Sequence, residues 1–214
     1  MARCTKEEAL ETRSRILDAA EDVFFAQGVS RTSLADVATA AKVTRGAIYW
    51  HFRNKSDLFD AMVERVRMPM ESMMTSNLDD PASDPLALLR AAAVFALRDT
   101  VRNPHSRKVV DIVFHKCELV DPADPILIRQ HENFRVWMGN MLRLLRLAIA
   151  KGRLPADLDP QRAAVLLHAT LSGLLDNWLF IPDSFDLDAQ AEQLVDACIE
   201  ALRCAPSLRI NRPA

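Results

Sequence analysis

Basic and aromatic side chains are concentrated in one stretch of the chain, from Thr32 to Lys55, which reads TSLADVATAAKVTRGAIYWHFRNK. Five basic residues between positions 31 and 55 stand against one acidic residue, Asp36, a local charge of +4. The net charge of the whole chain is −2, but binding depends on the local field, and a basic face attracts a polyanion. The chemistry that this stretch predicts is nucleic-acid binding.

A second group of chemically capable side chains, Asp111, His115 and Glu118, has the spacing i, i+4, i+7, which predicts one face of a helix. Two carboxylates and an imidazole can hold a metal ion or transfer protons. A solvated helix face shows the same pattern, however, and no nucleophile or glycine-rich phosphate loop accompanies it. We therefore predict no enzymatic activity, no cofactor and no metal site.

Bulky apolar residues later in the chain are of types that bind small molecules as well as fill a core. Methionine in particular repacks around ligands of different shape. A pocket with such walls and a few polar groups suits amphipathic, drug-like compounds. Core packing explains any one of these residues as well, so both interpretations stay open. The candidate ligand-binding residues are Phe95, Asp111, Phe114, His115, Phe134, Trp137, Met138, Met141, Asn177 and Trp178.

Two short helices joined by a tight turn are predicted to position the DNA-binding side chains. Thr32 or Ser33 can cap the first helix, and Thr44 can cap the second. Apolar residues recur in both at helical spacing. In such a helix-turn-helix, here about residues 33–52, the second helix lies in the major groove with its first residues at the base edges. The predicted DNA-binding residues are Ser33, Lys42, Thr44, Arg45, Gly46, Tyr49, Trp50, His51 and Lys55.

The remaining chain shows helical periods and no sustained alternation of period two, which predicts an all-α fold. One helix is predicted from Glu7 to Ala26. Another begins at Lys55 and is predicted to end at about Arg67, since Pro69 follows and an interior proline costs ~3 kcal/mol. Five more are predicted at about 86–102, 106–119, 125–151, 160–180 and 187–204, which makes nine helices in all.

The polar run from Asn77 to Pro85 predicts a domain boundary. We expect a DNA-binding domain over residues 1–55, a connecting helix over 56–76, and a ligand-binding and dimerisation domain over 77–214. The two helices within 160–204 suit one half of a four-helix interface in a homodimer, although packing within one chain is an alternative. A two-fold protein reads two half-sites about 34 to 36 Å apart.

Composition bounds the class and the compartment. Half of the 214 residues are hydrophobic, enough for a substantial core. The four cysteines form no C-x-x-C pair, so neither a zinc site nor a dense disulfide framework is predicted. No apolar segment resembles a signal peptide, and no window approaches 18 uninterrupted apolar residues. These features predict a cytoplasmic protein with no membrane partner.

The stretch TSLADVATAAKVTRGAIYWHFRNKSDLF resembles the DNA-binding signature of TetR-family transcriptional repressors, and MARCTKEEALETRSRILDAAEDVF resembles their first helix. The segments FHKCE, LPADLD and SGLLDNWLFIPDSFDL are similar to the AcrR-type subgroup, which controls multidrug efflux genes. Lys42 is a departure, because the family usually has glycine at this turn. A residue with a β-carbon in a left-handed turn costs on the order of 1 kcal/mol. Two alternatives follow: the turn differs slightly from that of the family, or a phosphate contact of Lys42 offsets the cost.

The resemblance implies a two-domain, nine-helix repressor that binds a double-stranded operator near drug-efflux genes and is released by a hydrophobic or amphipathic inducer. Two alternatives from other classes remain: a sequence-tolerant architectural DNA-binding protein, and a helical enzyme or carrier with a vestigial DNA-binding head. Similar affinity for operator and random DNA would indicate the first. A bound metal, or turnover that requires His115, would indicate the second.

Overall fold

The computed structural model describes residues 6–76, 78, 80, 82–118, 121–182 and 184–210. No β-strand occurs in these ranges, where Leu158 and Arg209 form an isolated bridge. A 3-10 turn, Pro206–Leu208, follows the last helix. The predicted all-α class with nine helices is confirmed over the described residues. The helices are α1 (Lys6–Gln27), α2 (Leu34–Ala40), α3 (Arg45–His51), α4 (Lys55–Thr75), α5 (Pro85–Arg102), α6 (Pro104–His115), α7 (Pro125–Ala150), α8 (Pro160–Phe180) and α9 (Leu187–Cys204).

Four of these helices begin with the same local signal, an Asp or Asn followed by proline. Proline suits the first helical position because its fixed φ is helical and its missing N–H is not needed there. The preceding side chain caps the helix: Asn103 Oδ1 accepts from the His105 N–H at 3.1 Å, and Asp159 Oδ1 accepts from the Gln161 N–H at 2.9 Å. The four pairs are Asp84-Pro85, Asn103-Pro104, Asp124-Pro125 and Asp159-Pro160.

Two predicted helix ends are wrong. The apolar period and Pro69 predicted that α4 ends near Arg67, although the connecting helix was assigned to residues 56–76; α4 continues through Pro69 to Thr75. The proline removes one helical hydrogen bond, whereas the turn beyond it buries Met74 and packs further methionine side chains on an apolar core, which offsets the loss. The helix predicted over 106–119 ends at His115, and Leu119 lies outside the described residues.

The helices pack into two compact units. The first unit contains the chain up to Arg67 together with Asn103–His131, and the second contains Met68–Arg102 and the chain from Glu132 onward. The predicted domain boundaries at residues 55 and 77 stay a prediction. The packing units are divided differently because α6 packs on α1 through Val109 and Ile112. Part of the predicted loop, at residues 77, 79 and 81, lies outside the described residues.

In the first unit, a buried carboxylate joins three helices. Glu21 of α1 is 1% exposed. Arg65 of α4 donates one hydrogen bond to Glu21 and another, of 2.7 Å, to Asp18. His105 of α6 places its Nδ1 2.6 Å from Glu21 Oε2. We call Asp18, Glu21, Arg65 and His105 the Glu21 cluster.

The Glu21 cluster has donor atoms that a metal ion would accept, since those of Asp18, Glu21 and His105 all lie within 4.8 Å of one another. The guanidinium of Arg65 already lies against both carboxylates, however. A buried charge is tolerated when it is paired and hydrogen-bonded. The cluster is therefore accounted for as an ion-paired and hydrogen-bonded contact between helices.

In the second unit, a row of ion pairs sets the register of α5 against α9. Arg102 Nε lies 2.7 Å from Asp188 Oδ1, and Arg98 Nη1 lies 2.8 Å from Glu192 Oε1. Arg90 makes two hydrogen bonds to Asp196, of 2.6 and 2.7 Å. The pairing runs in opposite directions along the two helices, which makes them antiparallel. Hydrogen bonds from these arginines lower the pKa of all three acidic side chains.

Helix α8 has more apolar surface than the rest of the single chain buries. By length and composition it would suffice to cross a membrane, yet only 22% of its apolar window is buried within the chain. Leu167 and Trp178 face the core, whereas Val165 and Phe180 are exposed, the latter at 75%. One side of α8 is thus left without a partner in the described chain.

We expect Arg65→Met to destabilise the protein by ~3 to 5 kcal/mol, because it leaves the buried Glu21 carboxylate without its cation. The double variant Glu21→Gln/Arg65→Met should lose less than the single variant, since no uncompensated charge remains. Urea unfolding at fixed protein concentration measures both. As a control, Arg53→Met removes an exposed pair with Asp57 and should cost less than about 1 kcal/mol. Equal losses for the single and double variants would contradict a role for charge balance.

We expect the ion pairs between α5 and α9 to stabilise the second unit at neutral pH and to stop doing so in acid. Because the folded-state pKa of each carboxyl group is lowered, the stabilisation is complete above its usual pKa and is lost as pH falls through the lowered value. The melting temperature of Arg90→Met should therefore lie furthest below that of the wild type near pH 7, and the difference should shrink below about pH 4. Arg146→Met, on the exposed side of α7, is the matched control, and its difference should not follow this profile.

Candidate nucleic-acid interface and ligand-binding residues

The first helix of the predicted DNA-binding motif is fixed by a reciprocal cap. Ser33 Oγ accepts a hydrogen bond from the Asp36 N–H at 3.3 Å, and Asp36 Oδ2 accepts from the Ser33 N–H at 2.8 Å. The hydroxyl and the backbone N–H of Ser33 lower the pKa of Asp36. Leu34 and Val37 are buried beneath this cap. Ser33 therefore has a structural role at the start of α2, and its predicted contact with DNA remains a prediction.

The turn between α2 and α3 has the left-handed residue that the sequence suggested. Lys42 has a φ of 55° and is the only residue other than glycine with a positive φ among the described residues. Hydrogen bonds from Lys42 N–H to Thr39 O (3.1 Å) and from Val43 N–H to Ala38 O (3.0 Å) close the turn. The Lys42 side chain is exposed. The backbone cost is thus present, and the side chain is accessible to a phosphate.

Helix α3 presents one buried and one exposed side. Thr44 caps it by accepting from the Ala47 N–H at 3.1 Å, and Ile48 anchors it in the core. Arg45 and Gly46 are exposed at its first turn, and the guanidinium carbon of Arg45 lies 5.9 Å from the centre of the Tyr49 ring. An arginine held in this way at the start of a recognition helix can donate two hydrogen bonds to guanine.

The aromatic residues at the end of α3 are placed differently from one another. Trp50 is 73% exposed, and its ring meets the His51 ring edge to face at 4.6 Å. Partial burial, followed by the charge of Arg13, lowers the pKa of His51, so its imidazole is neutral at neutral pH. Tyr49 and Trp50 offer their rings to the solvent side, whereas His51 is half-buried.

Lys55 has contacts that sequence reasoning missed. Its Nζ donates to the backbone carbonyls of Val29 at 2.8 Å and Ser30 at 3.2 Å. These bonds tie the start of α4 to the turn between α1 and α2. An ammonium has three donors, so a phosphate contact of Lys55 stays a prediction alongside this structural role.

The predicted ligand-binding residues are divided between the two units, which we describe separately. In the first unit, Asp111, Phe114 and His115 lie on α6, and His115 Nδ1 is 2.6 Å from Asp111 Oδ1. The spacing predicted that Glu118 lies on the same helix face as Asp111 and His115. It does not, because α6 ends at His115. Instead Glu118 accepts a hydrogen bond of 3.4 Å from Ser30 Oγ.

In the second unit, the predicted ligand-binding residues differ in accessibility. Met141 and Trp178 are buried in the core, which favours the packing interpretation for those two. Phe95, Trp137 and Met138 are partly buried. Asn177 is exposed and donates to Gly173 O at 2.7 Å.

Phe134 and Trp137 of α7 meet a residue that sequence reasoning did not select, His168 of α8. The centre of the imidazole ring lies 5.0 Å from that of Phe134 and 4.8 Å from that of Trp137. Burial lowers the pKa of His168, which is therefore neutral at neutral pH. The available signal was a lone polar ring in the otherwise apolar helix 163–180. Together these three rings form a partly exposed aromatic group.

Comparison with known proteins connects both regions to one family. The profile of bacterial regulatory proteins of the tetR family matches residues 16–62, and that of the C-terminal region of MAATS-type transcriptional repressors matches residues 84–204. The HTH-type transcriptional regulator TtgR of Pseudomonas putida is 41% identical over 212 residues, 98% of this chain and 100% of its own length. This chain belongs to the TetR family.

Solved structures of the family extend the likeness to three dimensions. NalD, the secondary repressor of the MexAB-OprM multidrug efflux pump in Pseudomonas aeruginosa, superimposes with a TM-score of 0.77 at 34% identity, over 94% of this chain and 100% of its own. The complex of SmeT, a repressor from Stenotrophomonas maltophilia, with triclosan gives 0.81 at 32% identity, over 95% of this chain and 100% of its own. The chain is thus a TetR-family transcription regulator with a DNA-binding helix-turn-helix.

We expect Arg45→Ala to relax base preference and to cost ~1 to 3 kcal/mol on the specific site, because its side chain is predicted to contact a base edge. Binding to the operator and to single-base variants of it, at one salt concentration, measures the change. Arg15→Ala removes an exposed cation of α1 that is not among the predicted DNA-binding residues and serves as the control. Equal weakening on every sequence would show that Arg45 contacts only phosphate.

Proposed function

We propose that the protein is a dimeric, ligand-responsive repressor of multidrug efflux pump genes. The observation that carries the proposal is the exposed side of α2 and α3, where Lys42 and Arg45 extend outward from a motif capped at both helix starts. A likeness to efflux-pump repressors over more than nine tenths of the chain supports it. Because the operator is DNA, we place the protein in the cytoplasm.

The unpartnered side of α8 supports a homodimer through about residues 160–204. Val165, Phe180 and Ile181 are exposed there, and Ala169 and Gly173 are small enough for two helices to approach closely. A second copy would bury this apolar surface by the same side of its own α8, as a two-fold interface requires. Two recognition helices would then read half-sites about 34 to 36 Å apart.

The inducer that suits the partly exposed rings is an aromatic or amphipathic small molecule. Phe134 and Trp137 offer ring faces and edges, and the neutral His168 between them adds a polar group without a charge. The SmeT structure holds triclosan, a compound of this class.

Induction follows if the compound binds better to the conformer whose recognition helices are wrongly spaced for the operator. A ligand with equal affinity for both conformers shifts nothing. Moving the population from one conformer to the other requires a difference of about 10⁴-fold in affinity. A non-enzymatic role agrees with this scheme, since every step is a binding equilibrium.

An equilibrium titration tests the proposal directly. The wild-type protein is titrated on the intergenic DNA beside its gene and on a random duplex at the same salt, with and without triclosan. We expect at least 10³-fold preference for the specific duplex, and a loss of that preference when the compound is present. Equal affinity for both duplexes would favour the architectural alternative.

Variants then locate the compound. Phe134→Ala should weaken triclosan binding about tenfold and leave operator affinity without compound unchanged, because its ring lies in the second unit. Phe25→Ala, which removes an exposed ring of the first unit, is the matched control. Unchanged triclosan affinity in Phe134→Ala would remove this aromatic group from the ligand site, and metal content or turnover that depends on His115 would support the enzyme alternative.

A further inference from the structure

Arg13 of α1 lies beside the end of the recognition helix, although it is far from the helix-turn-helix in sequence. Its guanidinium carbon is 5.1 Å from the centre of the Phe52 ring. Phe52 is the residue that follows α3, and it is buried at 1% exposure, so the ring that carries Arg13 is fixed by the core. Arg13 is also close enough to His51 for its charge to act on the imidazole.

Arg13 has no ion pair among the described residues, unlike the cations that contact the acidic residues of α1. Arg65 pairs with Asp18 and Glu21, and Lys108 pairs with Asp22. These three acids lie on α1 itself. Asp18, Glu21 and Asp22 follow Arg13 by five, eight and nine positions, which is about 140°, 80° and 180° around the helix at 100° a residue. These acids thus pair with cations of α4 and α6 rather than with Arg13.

The position of the Arg13 guanidinium over the Phe52 ring suits a phosphate contact. A guanidinium that lies over an aromatic face keeps its N–H groups directed outward in its own plane, where they match two phosphate oxygens. The ring also restricts the side chain before binding, so less rotamer freedom is lost on contact. His51 is neutral and adds no second charge. Trp50, exposed beside it, lies at the same end of α3.

We propose that Arg13 donates hydrogen bonds to a DNA phosphate at the C-terminal end of the recognition helix, as a backbone contact made from α1 and pre-oriented by Phe52. The inference rests on the proposed DNA-binding function. It assigns to α1 a part in holding the recognition helix in the groove. A phosphate contact carries no sequence information of its own, so Arg13 sets affinity and orientation rather than base preference.

A purely structural role is the competing explanation. A cation near the last turn of α3 would stabilise the negative end of that helix, and stacking on Phe52 would add packing. Either effect would change thermal stability. Neither would change the number of counterions released when DNA binds, which is the quantity that a phosphate contact determines.

The test is the salt dependence of binding for Arg13→Gln, Arg13→Lys and a matched control, Arg15→Gln. Arg15 lies on the same helix about 200° away, is exposed, and contacts only the Thr12 hydroxyl among the described residues. Affinities for the intergenic duplex and for a random duplex are measured from 50 to 200 mM salt, together with melting temperatures. For Arg13→Gln we expect the slope of log K against log salt to fall by about one on both duplexes. Affinity should fall roughly tenfold.

Arg13→Lys should keep the slope, because the charge remains, and recover only part of the affinity, because the fork and the stacking are lost. An unchanged slope in Arg13→Gln, with or without a lower melting temperature, would overturn the proposal in favour of a structural role. Equal effects of Arg15→Gln would overturn it in favour of general charge attraction. If the wild type shows no preference for the intergenic duplex, the proposed function fails, while the slopes on random DNA still decide the role of Arg13.

Discussion

The buried negative charge of Glu21 is the constraint on which the arrangement of the first unit depends. A carboxylate at 1% exposure is stable only with its hydrogen-bonding partners in place, and those partners come from two other helices. Arg65 fixes α4 against α1, and His105 fixes α6 against α1. The helix-turn-helix follows α1 directly and precedes α4, so its position is set by the same contacts. Apolar packing alone tolerates sliding, whereas this cluster allows one register.

The distribution of acids explains how a chain with a net charge of −2 can present a basic face. In the first unit, acidic residues of α1 pair with Arg65 and Lys108. In the second unit, acids of α9 pair with arginines of α5. Opposite charges that meet in this way cancel locally and leave little field at a distance. Lys42 and Arg45 have no ion pair among the described residues, so their field reaches outward from α2 and α3.

The sequence predicted what local signals encode. Helices α8 and α9 begin and end where expected, since Asp159-Pro160 and Asp186 cap their starts. The left-handed conformation of Lys42 was indicated only by the family resemblance, because the family usually has glycine at this turn. The end of α4 was not predictable from Pro69, because burial of Met74 depends on distant helices. Nor were the partners of Glu21, which are 44 and 84 positions away, or those of Lys55, which are 26 and 25 positions away. The contacts of His168 with Phe134 and Trp137 were also not predictable, because they are tertiary contacts with no local sequence pattern.

The Glu21 cluster lies on one side of helix α1 and Arg13 lies on another. A rotation of this helix about its axis therefore moves both. Eight residues separate Glu21 from Arg13, about 12 Å along the axis. A guanidinium about 6 Å from that axis moves by about 1 Å when the helix turns by ~10°. An increase of about 1 Å in the distance between donor and acceptor is enough to break a hydrogen bond. A small rotation of α1, caused by a movement of Arg65 or His105, would therefore form or break the proposed phosphate contact of Arg13.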